Sequence, residues 1–241
     1  MNDAVIQFEG VSAGYAGVPV VRNLDLHVNS GEVVALLGAN GAGKTTTLLT
    51  ISGLVRCLSG SVKVLGQPVK FGSPHVLARR GLAHVAEDRS LFFQLTVAEN
   101  IKLGLRGRRA QQREGVERAL DLLPALRPLM ERRAGLLSGG EQQMLAVARA
   151  LVGHPKVLLV DEMSLGLAPI IVERLLPIVR RVADETGAGV LFVEQHIHMA
   201  LGIADRAYVL SHGECVLQGA GSDLAERRDL LEASYLGDSA L

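Results

Sequence analysis

A glycine-rich loop constrains the fold of this chain more than any other feature. Residues 38–45 read Gly-Ala-Asn-Gly-Ala-Gly-Lys-Thr and match the pattern G-x-x-x-x-G-K-[ST] at every fixed position. The apolar run at 33–37 precedes the loop and a helix-compatible stretch follows it, which is the strand–loop–helix context that the motif requires. Glycines let the backbone wrap closely around a phosphate chain. The sequence therefore predicts an α/β fold that binds a nucleoside triphosphate.

The loop also predicts roles for individual residues. Lys44 would reach the terminal phosphates, the Thr45 hydroxyl would ligate Mg²⁺, and the N-terminus of the following helix would add positive charge. A turn that needs glycine for its geometry alone is the alternative, and the Lys-Thr pair in register disfavours it. The residues predicted to contact the nucleotide in this segment are Gly38, Asn40, Gly41, Ala42, Gly43, Lys44, Thr45 and Thr46.

Composition narrows the class of protein. The 241 residues suffice for one large α/β domain, or for a core with one inserted subdomain. Lys plus Arg and Asp plus Glu each number 25, and this zero net charge argues against a nucleic-acid partner. Charges or glycines interrupt every apolar run before the ~18 residues of a membrane span, and the first residues lack the charged-then-apolar pattern expected of a signal sequence. We expect a cytoplasmic protein, for which any membrane role must come through a partner, and we expect Cys57 and Cys215 to be free thiols.

The hydrophobic pattern predicts a helical block inside a strand-rich core. The pattern from about 97 to 153 is helical, whereas short apolar runs typical of buried strands lie on both sides of it. We therefore expect one domain, with a core at 1–87 and 156–241 and a helical subdomain at 88–155. Further predicted strands lie at 5–8, 20–28, 61–65, 82–86, 157–160, 190–193, 207–210 and 215–217, and further predicted helices at 170–185 and 222–235.

The helical block is also unusually basic. Residues 102–133 contain nine Lys or Arg side chains and four acidic ones. A solvated helix face accounts for this excess as well as a partner surface does. The hypothesis that Arg106, Arg108 and Arg109 lie near a partner's docking groove therefore stays open beside the simpler one.

A second set of chemical residues ends the apolar run at 157–160. Asp161 and Glu162 follow it directly. In phosphate-loop enzymes the first such acid holds Mg²⁺ and the next can polarise the attacking water. The pair is a weak signal alone, because many strands end in a polar turn, but it is a strong one beside Lys44.

A third motif, Leu-Ser-Gly-Gly-Glu-Gln-Gln, occupies residues 137–143. The Ser138 hydroxyl can accept a hydrogen bond from the third helical N–H while Glu141 reaches back, which is a capping box. Gly139 and Gly140 leave the helix N-terminus bare, and such an end attracts anions. Two phosphate-binding helix ends on one chain predict a composite site.

Together these motifs resemble the nucleotide-binding subunits of ABC transporters, over about residues 4–237. The resemblance implies the ABC ATPase fold: a P-loop core, an N-terminal antiparallel β subdomain and an inserted α-helical subdomain. It implies a second ATPase subunit, identical or different, paired head to tail, so that Ser138, Gly139, Gly140 and Glu141 of one subunit face the phosphate loop of the other. It also implies transmembrane permease partners, and stacking of Tyr15, about two dozen positions before the loop, on adenine.

Shorter segments are similar to one subfamily, the ATPases of branched-chain (hydrophobic) amino-acid uptake systems. This likeness implies an importer at the cytoplasmic face of the inner membrane that works, indirectly, with a solute-binding protein. ATPases of urea and short-amide importers look similar in these segments, and ABC exporters share all the chemistry. ABC ATPases of chromosome maintenance need long arms, and those of translation need two ATPase domains in one chain, which disfavours both classes here. Glu162 disfavours a third class, regulatory modules that bind a nucleotide without hydrolysing it. The segments that carry the likeness are 85–89, 95–100, 164–171, 193–195 and 235–237.

Three positions depart from the general family pattern. Glu87 replaces a glutamine that ligates Mg²⁺ and contacts the permease, and its carboxylate is an equally suitable oxygen ligand. The spacing places Gln195 where the family has its switch histidine, with His196 one residue later. Both stay candidates for the contact with the γ-phosphate, and the intact flanking spacing favours Gln195. Met163 stands where proline commonly follows the catalytic glutamate.

Overall fold

The computed structural model describes residues 4–227, which form two β-sheets with helices packed around them. The strands are β1 (Ala4–Tyr15), β2 (Val18–Asn29), β3 (Val33–Gly38), β4 (Arg56–Val64), β5 (Gln67–Pro68), β6 (Leu82–Val85), β7 (Val157–Val160), β8 (Gly189–Val193), β9 (Arg206–Ser211) and β10 (Glu214–Ala220). The helices are α1 (Lys44–Ile51), α2 (Pro74–Arg80), α3 (Val97–Gly104), α4 (Arg109–Leu122), α5 (Gly139–Leu151), α6 (Pro169–Thr186), α7 (Ile197–Leu201) and α8 (Gly221–Glu226).

The smaller sheet is antiparallel and has the strand order β2-β1-β4-β5. Residues alternate along β1 between a buried face, which carries Ile6 and Phe8, and a more exposed one. This period of two is the burial pattern of a sheet with one face on the core. The sheet packs over α1, and its apolar face shares a core with Leu48 and Ile51 of that helix.

The larger sheet places the ends of the strands that precede the predicted site residues at one edge. Its order is β10-β9-β3-β8-β7-β6, and all its pairings are parallel except that of β10 with β9. Every residue of β3 is buried, as expected for a central strand covered on both faces. Since β3, β7 and β8 run parallel, the segments that follow Gly38, Val160 and Val193 emerge at the same edge.

Helices α3, α4 and α5 lie between β6 and β7 in the chain and pack together. Their shared core includes Ile101, Leu120, Leu126 and Leu145, all of them buried. Two 3₁₀ helices, Pro124–Leu129 and Ala134–Leu136, connect α4 to α5. All of these helices fall within the predicted subdomain at 88–155, whose boundaries stay a prediction. The predicted fold class, an α/β core with an antiparallel β subdomain and a helical insertion, is confirmed.

Some elements differ from the expectations. Helix α2 was not predicted, because its seven residues are too few for a clear periodic pattern. The predicted helix at 222–235 begins as α8, but most of it, with the 235–237 segment, lies outside the described residues. Cys57 and Cys215 are half-buried free thiols, as predicted. Within residues 4–227, no helix has the length and apolar character needed to cross a membrane.

Candidate functional site

The loop after β3 wraps around the side chain of Lys44. The Lys44 Nζ donates hydrogen bonds to the carbonyl oxygens of Gly38 (2.8 Å) and Ala39 (3.0 Å). A Cβ at Gly38 would lie 2.4 Å from the Leu210 carbonyl oxygen, and Gly43 has a φ of 103°. Side chains are therefore excluded at both positions. The buried ammonium and the N-terminus of α1 together give the loop the electrostatics of an anion site.

The end of β7 brings a hydroxyl and a carboxylate together beside this loop. Thr45 Oγ1 donates to Asp161 Oδ1 at 3.3 Å. Burial raises the pKa of Asp161 to about 6, the hydrogen bond from Thr45 opposes the shift, and the neighbouring charges of Glu162 and Glu87 add to it. A buried carboxylate surrounded by like charges is stabilised by a cation.

These oxygen donors fit Mg²⁺, which prefers hard oxygen ligands and is usually held by one or two carboxylates plus substrate phosphates. Among residues 4–227 no group of three or more His, Cys, Asp or Glu side chains could hold a metal ion by itself. Thr45 and Asp161 are in direct contact, whereas Glu87, which is exposed, acts on Asp161 only through its charge. The arrangement suits an ion that takes its remaining ligands from a bound nucleotide.

Glu162 lies between the phosphate loop and the segment after β8. Its Oε1 is 3.6 Å from Lys44 Nζ, and its Oε2 accepts a hydrogen bond from Gln195 Nε2 at 2.9 Å. Gln195 Nε2 also donates to Asn40 Oδ1 at 3.1 Å. The Gln195 amide thus bridges the carboxylate and the loop. Glu162 has a φ of 42°, a left-handed conformation that is uncommon for a residue with a side chain.

The side chain of His196 points to a different set of partners. Its Nδ1 lies 3.1 Å from Ser164 Oγ and 3.5 Å from Glu194 Oε2. Neither atom belongs to the phosphate loop. Gln195, and not His196, therefore contacts Asn40 and Glu162 in this structure.

The N-terminus of α5 has the capping box that the sequence predicts. The Ser138 N–H donates to Glu141 Oε2 (2.7 Å) and the Glu141 N–H donates to Ser138 Oγ (3.4 Å). The backbone hydrogen bond from Ser138 lowers the pKa of Glu141, so this carboxylate stays charged. Gly139 and Gly140 form the first turn of α5. Within the described chain, no hydrogen bond or ion pair joins residues 138–141 to residues 39–46.

Tyr15 lies at the end of β1 with its side chain 52% exposed. The β1–β2 hairpin lies against the phosphate loop, because a Cβ on Gly43 would be 3.1 Å from Val21 Cγ2. The ring is therefore accessible to a planar ligand, and its predicted stacking on adenine stays a prediction.

Comparison with known proteins decides the family. The sequence model of the family described as "ABC transporter" matches residues 21–164, which is more than half of the chain. The chain belongs to the ABC transporter family. Its members bind and hydrolyse ATP, so this protein is an ATPase. ABC ATPases of this kind work as dimers with transmembrane permease components.

Three relatives of this ABC ATPase match nearly its whole length. The high-affinity branched-chain amino acid transport ATP-binding protein BraG of Pseudomonas aeruginosa is 40% identical over 97% of this chain and all of its own. The probable branched-chain amino acid transport ATP-binding protein LivF of Archaeoglobus fulgidus is 35% identical, over 90% of this chain and 92% of its own. The lipopolysaccharide export system ATP-binding protein LptB of Escherichia coli is 33% identical over 98% of both.

Among solved structures, a nucleotide-free ATP-binding cassette from an ABC transporter superposes with a TM-score of 0.83. It covers 95% of both chains at 23% identity. This likeness supports the fold of the ABC ATPase.

Two polar residues of the ABC ATPase were not singled out from the sequence for a role. Ser164 and Glu194 are both buried and hydrogen-bond to each other, although the sequence separates them by 30 positions. The available signal was a glutamate directly after the apolar run at 190–193. A polar residue at that place is common at the end of any strand, so the signal was weak.

Proposed function

We propose that this chain is the ATP-hydrolysing subunit of an ABC importer for branched-chain or other small hydrophobic amino acids. The observation that carries the solute class is the 40% identity to BraG over 97% of this chain. In this proposal the protein is bound to the cytoplasmic face of the cell membrane through permease subunits, and a solute-binding protein acts upstream of them.

Residues 38–46 bind the nucleotide in this proposal. The Lys44 ammonium is already fixed by two backbone carbonyls, so little side-chain entropy is lost when it contacts a phosphate. The remaining contacts come from the backbone N–H groups of the loop and the N-terminus of α1. Tyr15 stacks on the base.

Glu162 acts as the general base, and Gln195 orients it. The carboxylate lies 3.6 Å from Lys44 Nζ and accepts a hydrogen bond from the Gln195 amide, which fixes its position relative to the terminal phosphate. An amide cannot exchange a proton near neutral pH, so the role of Gln195 is to position Glu162. His196 supports the turn that contains Ser164.

Thr45 and Asp161 hold Mg²⁺, with Glu87 nearby as an additional carboxylate. The ion neutralises charge on the β- and γ-phosphates when it is bound. The chain's own contribution is the fixed pair of oxygen donors and the negative charges of Glu162 and Glu87 near Asp161, which a bound cation would offset.

A second ATPase subunit completes the site. Residues Ser138–Glu141 make no hydrogen bond or ion pair with residues 39–46 of their own chain in the described structure, yet they form a capped helix N-terminus, with Ser138 exposed, that is suited to an anion. We assign them to the nucleotide held by the partner subunit.

The permease docks, in this proposal, in a groove of about 490 Å³ between β6, α3 and α5. Leu54, Phe92 and Leu103 line it and are each more than half exposed, which is unusual for large apolar side chains. Arg89, beside Glu87, donates hydrogen bonds to Gln142 and Gln143 of α5. This link connects the groove region to α5, whose N-cap is Ser138.

A basic depression adjoins this groove and shares Arg106 with it. Arg79, Arg80 and Lys156 also line the depression, and none of the four has a carboxylate within ion-pair distance among residues 4–227; Glu114, the acidic residue in the lining, pairs with Arg118. Charge complementarity therefore favours an acidic segment of the permease there. The sequence hypothesis is refined: Arg106 lines the groove, whereas Arg108 and Arg109 do not.

Neutralisation tests the docking surface. Replacing Arg79, Arg80 and Lys156 with Gln should weaken co-purification with the permease and lower transport, while basal ATP hydrolysis is unchanged. The matched control replaces Arg108, Arg109 and Arg113, which lie outside the depression. If the two triple variants weaken co-purification equally, or if neither weakens it, the basic residues form a solvated face and not a docking surface.

Transport by the complex in proteoliposomes tests the solute. ATP-dependent uptake of labelled leucine, isoleucine or valine should occur and should be abolished by Glu162→Gln. Urea and acetamide are the comparison solutes. Similarity to LptB over 98% of the chain makes an exporter the second candidate. Outward movement of a lipid without uptake of any amino acid would replace the proposal with that one.

A further inference from the structure

Glu194 is a carboxylate that is wholly buried directly after β8, and no Lys or Arg in the described chain pairs with it. Burying an unpaired carboxylate is costly unless hydrogen bonds replace its lost hydration. The hydrogen bonds of Glu194 therefore offset the cost of its burial, and its hydrogen-bond partners indicate its role.

The partners come from two segments. From the turn after β7, the Ser164 N–H donates to Glu194 Oε1 (3.0 Å) and Ser164 Oγ donates to Oε2 (2.6 Å). From the segment after β8, the N–H groups of Gln195 (3.1 Å) and His196 (3.5 Å) donate to Oε2, and His196 Nδ1 lies 3.5 Å from the same oxygen. One carboxylate therefore fixes the distance between these two segments.

The same two segments carry the pair proposed to do the chemistry. Glu162 lies two residues before Ser164, and Gln195 follows Glu194 directly. The left-handed φ of Glu162 persists only where the surrounding structure holds the turn. The two hydrogen bonds between Glu194 and Ser164 hold the turn after β7. The hydrogen bond from the Gln195 N–H to Glu194 holds the backbone of the segment after β8. His196 Nδ1 contacts Ser164 Oγ as an outer support.

We propose that Glu194 is a positioning residue for ATP hydrolysis. It clamps the turn after β7 to the segment after β8 through Ser164 and Gln195, and thereby sets the hydrogen bond between Gln195 and Glu162. This inference rests on the proposed roles of Glu162 and Gln195 and is independent of the solute. Nothing in it requires contact between Glu194 and the nucleotide, so the clamp affects turnover and leaves ATP binding intact.

A double-mutant cycle on the full-length chain in its transporter complex tests the clamp. Glu194→Gln keeps the side-chain shape but loses one acceptor oxygen, and Ser164→Ala loses the hydroxyl. Each should lower kcat about tenfold and leave the Kd for ATP within twofold. Because both act on the same hydrogen bond, from Ser164 Oγ to Glu194 Oε2, the double variant should be no slower than the slower single variant. Ser164→Thr keeps the hydroxyl and should restore most of the activity.

Three results would overturn the inference: kcat of Glu194→Gln within twofold of wild type, losses of ATP affinity that match the loss of turnover, or losses that multiply in the double variant. If Glu194→Gln does not fold, as judged by urea denaturation, the contrast between Ser164→Ala and Ser164→Thr decides alone. Glu162→Gln is measured in parallel. Its full activity would refute the catalytic assignment itself, whereas an inactive Glu162→Gln beside an active Glu194→Gln refutes only the clamp.

Discussion

Replacing Gln195 tests the arrangement of the catalytic site most directly. The Gln195 amide makes a hydrogen bond of 2.9 Å to the charged Glu162 and one of 3.1 Å to the neutral Asn40 amide. A hydrogen bond to a charged group is worth about 1.5–3 kcal/mol. If Gln195→Ala removes that stabilisation from the transition state, the rate falls about 10- to 150-fold, since each 1.36 kcal/mol is tenfold.

The neighbouring histidine supplies the matched comparison. His196 contacts Ser164 Oγ and not the phosphate loop, and Glu194 still holds Ser164 when the imidazole is removed. A hydrogen bond between neutral groups is worth about 0.5–1.5 kcal/mol, so His196→Ala should slow hydrolysis by only a few-fold. Gln218→Ala, at an exposed glutamine on β10, is the control for loss of a glutamine.

Steady-state phosphate release at saturating Mg²⁺–ATP measures these effects, and a fluorescent ATP analogue measures binding separately. Gln195→His should retain more activity than Gln195→Ala. Its rate should rise with pH through ~6.5, the ordinary imidazole pKa, because an imidazolium paired with Glu162 makes that carboxylate a weaker base. An inactive His196→Ala beside an active Gln195→Ala would refute the reasoning.

Three further predictions concern chemistry, assembly and stability. Glu162→Gln should bind ATP normally, cut turnover ~10²-fold or more and accumulate as a closed ATP-bound dimer on size-exclusion chromatography; wild-type turnover would contradict this. Lys44→Ala should weaken ATP binding, whereas Ser138→Arg should leave binding by the monomer intact and block turnover; loss of monomer binding in Ser138→Arg would exclude a role in trans. Burial lowers the pKa of His84 to about 4, so the unfolded chain binds more protons between pH 4 and 6.5. Stability should therefore fall by about 3 kcal/mol as the pH drops through that window, and His84→Gln should flatten this part of the urea-denaturation profile.

The sequence determined the features that depend on local backbone. Glycines at fixed spacing before Lys44 predict the loop, because few other residues permit its conformation. The Ser138–Glu141 capping box is likewise local, since its two hydrogen bonds join residues three apart. The alternation of apolar runs and helical periods sufficed for the α/β class and for the helical insertion. The residue roles inferred from these motifs stay predictions for the experiments above.

Only the tertiary structure decided which side chains meet. Gln195 and His196 are adjacent, and spacing alone left both as candidates for the contact with the γ-phosphate. The direction of the chain after β8 brings the Gln195 amide to Glu162 and the His196 ring to Ser164. Contact between Ser164 and Glu194 requires β7 and β8 to be neighbours in one parallel sheet. Such pairings depend on strand order and side-chain direction, which no local pattern encodes, and the buried carboxylate that holds the two segments together is visible only once the sheet is assembled.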